Sequence, residues 1–132
     1  PSHLIDSGVF ATILLHYSLA NPSAFGSCPM GMRYYAQLGA RATEAGMGEI
    51  ALRVLDGGVL LNHPARGLQD LAKEAGIDLP TLALRYALST ESIATALVGF
   101  SNLSQIEAAC AAAESGPLPT LIRARINPLA GD

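Results

Sequence analysis

The order of apolar runs and helical patterns constrains the fold of this chain more than any other feature. Apolar runs of strand length lie at 10–15, 48–54 and 94–98, and each precedes a segment in which apolar residues have helical spacing. Strands that alternate with helices are typical of a parallel sheet with right-handed crossovers. Near-continuous apolar runs indicate strands that are buried on both faces. The sequence therefore predicts an α/β fold with parallel strands and crossover helices.

Glycine, proline and capping residues delimit the predicted helices. Gly46, Gly76 and Gly116 each follow a periodic segment, as helix-ending glycines do. Asp78 or Leu79 is expected to cap a helix that has Pro80 in its first turn. Helices are predicted over 33–45, 68–75, 81–88, 103–114 and 119–126, and loops over 21–31, 56–58 and 62–67.

Three parallel strands leave unpaired N–H and C=O groups at both edges of a sheet. The outer runs, 10–15 and 94–98, contain no Lys or Pro to protect those edges. A closed barrel removes the edges, but it needs eight strand–helix units and about 250 residues. The chain has 132 residues. We therefore predict one region, 1–132, that forms part of a (β/α)8 TIM barrel, with self-association through strand edges as a further expectation.

Charge and hydropathy exclude several classes of partner. Charged residues make up 14% of the chain and the net charge is −3, so no basic surface for nucleic acid is expected. No apolar run approaches the roughly 18 residues that span a membrane, and no signal peptide is recognisable. We expect a cytoplasmic protein, and the absence of an initial Met suggests a fragment. Cys28 and Cys110 are expected to be free thiols, and the scattered His residues predict no metal site.

The segment 97–105 has the pattern of an anion-binding loop. An apolar strand ends at Gly99, Ser101 and Asn102 follow, and a helix then begins. This order presents backbone N–H groups and a hydroxyl at a helix N-terminus, where a phosphate group binds favourably. Ser and Asn are also strong capping residues, and Gln105 stands where a capping box favours Gln. A phosphate site and an ordinary helix cap both remain open.

Four segments carry family-like motifs in a consistent order. The segment 10–19 is similar to the pattern F-D-x-V-Q-x-x-Y-N-L, and 45–60 is similar to R-P-L-x-G-G-x-L. The segments 82–89 and 98–107 are similar to L-A-L-R-W-x-L and V-G-x-S-N-x-x-Q-L. Together they resemble the C-terminal part of the aldo-keto reductase family, over nearly the whole chain.

That resemblance implies a fold and an activity. The family fold is an eight-stranded βα barrel that binds NADPH, sometimes NADH, at its C-terminal face. The family transfers a hydride between nicotinamide and a small-molecule carbonyl or alcohol. Its acid/base Tyr and the assisting Lys, Asp and His lie in the N-terminal half, which no segment here matches. The resemblance therefore assigns no catalytic residue, and this chain alone is predicted to be inactive.

The resemblance also implies two cofactor-binding loops and a substrate-pocket residue. The expected cofactor-binding residues are Arg53, Leu55, Gly57, Gly58, Leu60, Gly99, Phe100, Ser101, Asn102 and Gln105. In this scheme Ser101 meets the phosphate on the adenosine ribose, the two glycines approach the pyrophosphate, and Arg53 borders the nicotinamide. The alternatives are a cap, a tight turn that needs positive φ, and an Arg paired with Glu49 or Asp56. Tyr17 is expected in the substrate pocket, or else as a packing residue with a solvated hydroxyl.

Three departures from the family pattern weaken the expected cofactor contacts. Leu14 stands where the family has Gln, and Val54 stands where it has Pro. Ala108 and Ala109 replace an E-N pair, which would remove hydrogen bonds to adenine. These losses indicate a divergent branch.

The sequence leaves three functional hypotheses. The first is the C-terminal part of an NAD(P)-dependent aldo-keto reductase that keeps part of the dinucleotide site. The second is a non-catalytic α/β module with relic cofactor motifs, which self-associates or binds a partner chain. The third is a different small ligand-binding domain with an accidental resemblance.

Overall fold

The computed structural model describes residues 2–22, 24–25, 38–64 and 66–129. The elements within these residues are α1 (Ser2–Asp6), β1 (Thr12–His16), α2 (Leu38–Glu44), β2 (Gly48–Leu52), a 3-10 turn (Asp56–Gly58), α3 (Val59–Asn62), α4 (Arg66–Glu74), α5 (Leu79–Leu88), β3 (Ile93–Ala96), α6 (Leu103–Glu114) and α7 (Thr120–Leu129).

The three strands form one parallel sheet in the order β1-β2-β3. Leu15 pairs with Ala51 and Ala51 with Ala96, and the register shifts between Glu49 and Ile50. Each connection between neighbouring strands contains at least one helix, as parallel pairing requires. The predicted α/β class with parallel strands and crossover helices is confirmed.

Only one face of the sheet is covered among the described residues. Leu15 and Ala51 are buried and belong to the core, whereas Leu14 is 54% exposed and Leu97, just past β3, is 48% exposed. Successive side chains of a strand point to opposite faces, so the helices pack on the face of Leu15. Within these ranges of the chain, the prediction of burial on both faces is wrong. The apolar residues on the open face match the interior of a closed barrel, which the other strands of that barrel would cover.

Helix α5 is the centre of the core. Its Leu82, Ala83 and Ala87 are fully buried, and the helix contacts α4, α6 and β3. Asp78 caps it by accepting a hydrogen bond from the Thr81 N–H at 2.8 Å, as the sequence predicts. Burial of a leucine side chain of this kind contributes about 1.5–3 kcal/mol, so α5 fixes the position of the sheet ends beside it.

A buried carboxylate lies on the covered face of β2. Glu49 has no exposed surface, and its two oxygens accept hydrogen bonds from the hydroxyls of Thr43 at 2.5 Å and Ser92 at 2.9 Å. These bonds connect β2 to α2 and to the start of β3. The apolar pattern of 48–54 gave no indication of a buried acid at this position.

The sequence located the long helices better than the short ones. α6 has the predicted bounds, and α5 begins at Leu79, directly after the predicted cap Asp78. The loop predicted over 62–67 is shorter, since Arg66 and Gly67 are already in α4. α1 and α3 were missed because four or five residues show no periodicity. Parts of the predictions over 21–31 and 33–45 lie outside the described residues.

Candidate functional site

A cavity of about 630 Å³ lies at the carboxyl ends of β2 and β3. The loop 53–58, the segment 97–101 and the first turns of α5 and α6 form its walls. Ligand pockets commonly have volumes of about 300–1,000 Å³, and ligands of parallel α/β sheets bind outside the carboxyl ends of the strands. Both the volume and the position of this cavity therefore suit a small-molecule site.

The cavity brings together most of the residues that the sequence assigned to the cofactor. The predicted residues that line it are Arg53, Leu55, Gly57, Gly58, Gly99, Phe100, Ser101 and Gln105. Leu60 lies in the core instead, with 4% exposure. Asn102 caps α6 and is not among the lining residues.

The loop after β2 has an unusual backbone. Arg53, Asp56, Gly57 and Gly58 all have positive φ, at 58°, 51°, 65° and 91°. Left-handed backbone is strained for residues that carry a Cβ, so strain is stored at Arg53, which lines the cavity, and at Asp56, which precedes the lining residue Gly57. Strain of this kind is concentrated at ligand-binding sites in proteins.

The two glycines of this loop adopt the positive-φ backbone conformation that the turn requires. A Cβ at Gly57 would meet no atom within 4 Å, and at Gly58 it would meet only the Asn62 side chain, at 3.9 Å. Conformation rather than crowding among the described residues therefore requires glycine here. The open space beside the backbone also leaves room for a ligand to approach it.

The Arg53 guanidinium is exposed beside the cavity. The proposed pairing with Glu49 or Asp56 is wrong. Glu49 binds Thr43 and Ser92, and Asp56 contacts His16. In the described parts of the chain, Arg53 takes part in no ion pair. Its charge is therefore available to a ligand.

The N-terminus of α6 is held by reciprocal side-chain bonds. Asn102 accepts a hydrogen bond from the Gln105 N–H at 3.0 Å, and the Gln105 side-chain oxygen accepts one from the Ser101 N–H at 2.8 Å. The capping interpretation is thus confirmed for Asn102 and Gln105. The N–H groups of Leu103 and Ser104 have no partner inside the helix, because the first turn of a helix leaves them unpaired.

Apolar side chains supply the rest of the cavity wall. Leu61, Leu97 and Phe100 are each more than 40% exposed, and α6 contributes Ala108 and Ala109. Exposed apolar residues around a concave site are typical of a surface that a ligand covers.

Tyr17 lies in the core and not on the cavity wall. It is 4% exposed, its ring stacks on Tyr86 with centroids 5.4 Å apart, and its hydroxyl lies 3.0 Å from the Thr90 Oγ1. Burial, together with the neighbouring Tyr17, raises the pKa of Tyr86 above its ordinary value. The structure therefore gives Tyr17 a packing role, with its hydroxyl bonded rather than solvated. Its place in a substrate pocket stays a prediction.

The sequence missed the part of the site that α5 contributes. Asp78, Pro80 and Thr81 line the cavity, although the sequence identified them only as a helix start. Leu61 and Ser104 also line it. Sequence spacing alone could not place α5 next to the loop 53–58, because the packing of α5 against β3 and α6 determines this contact.

The described residues hold neither a metal-binding cluster nor a membrane-spanning helix. No group of three or more His, Cys, Asp or Glu residues there could hold a metal ion. None of the helices in those ranges combines the length and apolar character that a membrane crossing requires. Cys110 is a free, exposed thiol, and Cys28 lies outside the described residues.

Comparison with known proteins gives a family and a fold. The model of the aldo/keto reductase family matches residues 36–129. The holo form of aldo-keto reductase AKR11C1 from Bacillus halodurans superimposes with a TM-score of 0.71 and 22% identity, over 98% of this chain and 46% of that one. The apo form superimposes with a TM-score of 0.70 and 22% identity, over 98% of this chain and 47% of that one. No curated protein matches significantly. The chain thus spans about half the length of these solved structures, and at this identity the likeness shows the fold.

Proposed function

Because the chain belongs to the aldo/keto reductase family, we propose that it is the C-terminal portion of an NAD(P)-dependent oxidoreductase and keeps part of the dinucleotide site. The activity of the complete enzyme would be reduction of a carbonyl or oxidation of an alcohol. Family membership removes the third hypothesis, an accidental resemblance. The cytoplasmic location remains a prediction.

The convergence of two separate loops on one cavity carries this proposal. The loop 53–58 and the segment 97–101 are about 40 residues apart in the sequence, and the sequence predicts that both contact the cofactor. Parallel pairing of β2 and β3 brings them to the same edge of the sheet. Residues of both predicted cofactor loops therefore line one cavity, which supports a retained dinucleotide site.

The cavity residues suit an elongated ligand with anionic and apolar parts. Arg53 offers a planar guanidinium that can border the nicotinamide. Leu97 and Phe100 give one wall an apolar surface. The first-turn N–H groups of α6 and the Ser101 hydroxyl are donors for a phosphate oxygen. When bound, the cofactor would supply or accept the hydride.

Several positions limit the affinity that these residues provide. Leu14 is on the open face of the sheet and offers no polar atom for an amide. Ala108 and Ala109 line the cavity with methyl groups, so they form no hydrogen bonds with adenine. We therefore expect binding that is weaker than in a complete enzyme.

We further propose that this polypeptide alone has no turnover, because no segment matches the acid/base residues of the family. The test is an assay of the purified chain with NADH or NADPH and a broad panel of aldehydes. No consumption of the reduced cofactor is expected above the rate of a heat-denatured control. Clear turnover would contradict the proposal.

A second candidate function is a non-catalytic module that assembles through its open sheet. The exposure of Leu14 and Leu97 on the uncovered face favours it, and both outer strands leave an edge that is unpaired within the described part of the chain. Size-exclusion chromatography with light scattering tests it. A dimer or larger assembly supports this candidate, and a stable monomer over a wide concentration range rejects it.

A further inference from the structure

The cavity carries almost no net charge. Among the described residues that line it, Arg53 contributes a positive charge and Asp78 a negative one. The Asp78 carboxylate already accepts the Thr81 N–H as the cap of α5. Among the described lining residues a ligand therefore meets one cationic group, Arg53, and one carboxylate, that of Asp78.

The chain from β3 through α6 adds no positive charge. Residues 86–122 contain neither Lys nor Arg, whereas Glu91, Glu107 and Glu114 lie within this range. The segment 97–101 and the first two turns of α6, which form one wall of the cavity, belong to it. That wall can bind anions through backbone N–H groups and hydroxyls alone.

Some of these uncharged donors already form hydrogen bonds within the protein. The Ser101 N–H donates to the Gln105 side chain and the Gln105 N–H donates to Asn102. A phosphate monoester carries a charge between about −1.5 and −2 at neutral pH. Its recognition normally requires Arg or Lys, because charge-assisted bonds offset the loss of hydration. Among the described residues that line the cavity, Arg53 is the one cation, so the second cation that such a group would need beside the pyrophosphate is missing there.

We propose that this cavity selects the dinucleotide with an unphosphorylated ribose, NAD(H), over NADP(H). The inference rests on the proposed function, since it concerns the cofactor of the same site. The discrimination arises because the described lining residues hold no second cation, so the desolvation of the additional phosphate is not offset.

Titration of the 132-residue chain with NADH and with NADPH at low ionic strength, followed by nicotinamide fluorescence, tests this selection. The Kd for NADH should be at least about tenfold lower than that for NADPH, as expected for the loss of one charge-assisted interaction. Ser104→Arg places a guanidinium in the first turn of α6, at a residue that lines the cavity. It should change the ratio of the two Kd values about tenfold in favour of NADPH.

Ala111→Arg is the matched control. Ala111 is exposed on the same helix and is not among the lining residues, so the variant adds the same charge away from the cavity and should leave the ratio unchanged. NADPH binding as tightly as NADH, or equal shifts in the two variants, overturns the inference but leaves the proposed function standing. If neither cofactor binds, the proposed function fails and the inference fails with it. If Ser104→Arg does not fold, the ratio of the Kd values for NADH and NADPH in the parent chain decides whether the inference holds.

Discussion

The side chains of His16 and Asp56, 40 positions apart in the chain, are joined by a hydrogen bond between Nε2 and Oδ1 at 3.3 Å. His16 ends β1, and Asp56 is in the turn after β2 with φ of 51°. Both side chains are partly buried. Because Gly57 and Gly58 line the cavity directly after Asp56, this contact attaches the strained turn to the neighbouring strand.

Removal of the imidazole should loosen this turn. A net contribution of about 0.5–1.5 kcal/mol from one hydrogen bond predicts that His16→Ala weakens NADH binding about twofold to tenfold. His63→Ala, at an exposed histidine, is the control and should bind as the parent chain does. Fluorescence titration measures both. Unchanged affinity in His16→Ala would show that the contact does not position the turn.

Substitution of Gly57 should destabilise the chain through its backbone. At φ of 65° a Cβ costs about 1 kcal/mol or more, so Gly57→Ala should lower the free energy of unfolding by that amount in urea. Gly99→Ala is the control, because Gly99 is not a positive-φ position and has open space for a Cβ. Equal losses in the two variants would contradict this explanation.

Substitutions of Asn102 and Ser101 should distinguish a residue that caps α6 from a residue that binds the ligand. Asn102→Ala removes the acceptor for the Gln105 N–H and should cost about 1 kcal/mol of stability, while Asn102→Asp should retain most of it. Within the described residues the Ser101 hydroxyl makes no hydrogen bond. Ser101→Ala should therefore leave the urea midpoint unchanged and weaken NADH binding. A loss of stability in Ser101→Ala without a change in affinity would assign this residue to the cap.

Tyr86 should make the chain sensitive to alkaline pH. Burial raises its pKa, and Tyr17 beside it adds to the effect, so the folded state favours the neutral phenol. The resulting stability is complete below the unfolded pKa of about 10 and is lost as pH rises further. In urea titrations between about pH 9 and about pH 11, Tyr86→Phe should lose less free energy of unfolding than the parent chain. Parallel losses would show that Tyr86 does not cause the alkaline decline.

The sequence could predict features that depend on local chemistry. The bounds of α6, the cap at Asp78 and the turn at Gly57 follow from periodicity and capping preferences. The parallel arrangement follows from the alternation of strands and helices. Most of the predicted cofactor residues could be placed at one site because the ends of parallel strands lie at one edge of the sheet.

Features that depend on contacts between distant segments could not be predicted. The register of β1 and β2 brings His16 to Asp56, and the packing of α5 brings Asp78 to the cavity. Tyr17 ends up among aromatic side chains because its position in the core, rather than its place at a strand end, determines its contacts. The exposure of one face of the sheet likewise depends on which elements pack against the strands, and the sequence of the strands does not show this.

The proposed function depends on a dinucleotide site that the carboxyl ends of β2 and β3 still form in this chain. Titration of the 15N-labelled chain with NADH, followed by amide chemical shifts, tests it most directly. We predict saturable shifts concentrated at 53–58 and 97–105, with the far ends of α5 and α6 unaffected. Absence of saturable shifts, or shifts concentrated elsewhere in the chain, would contradict it.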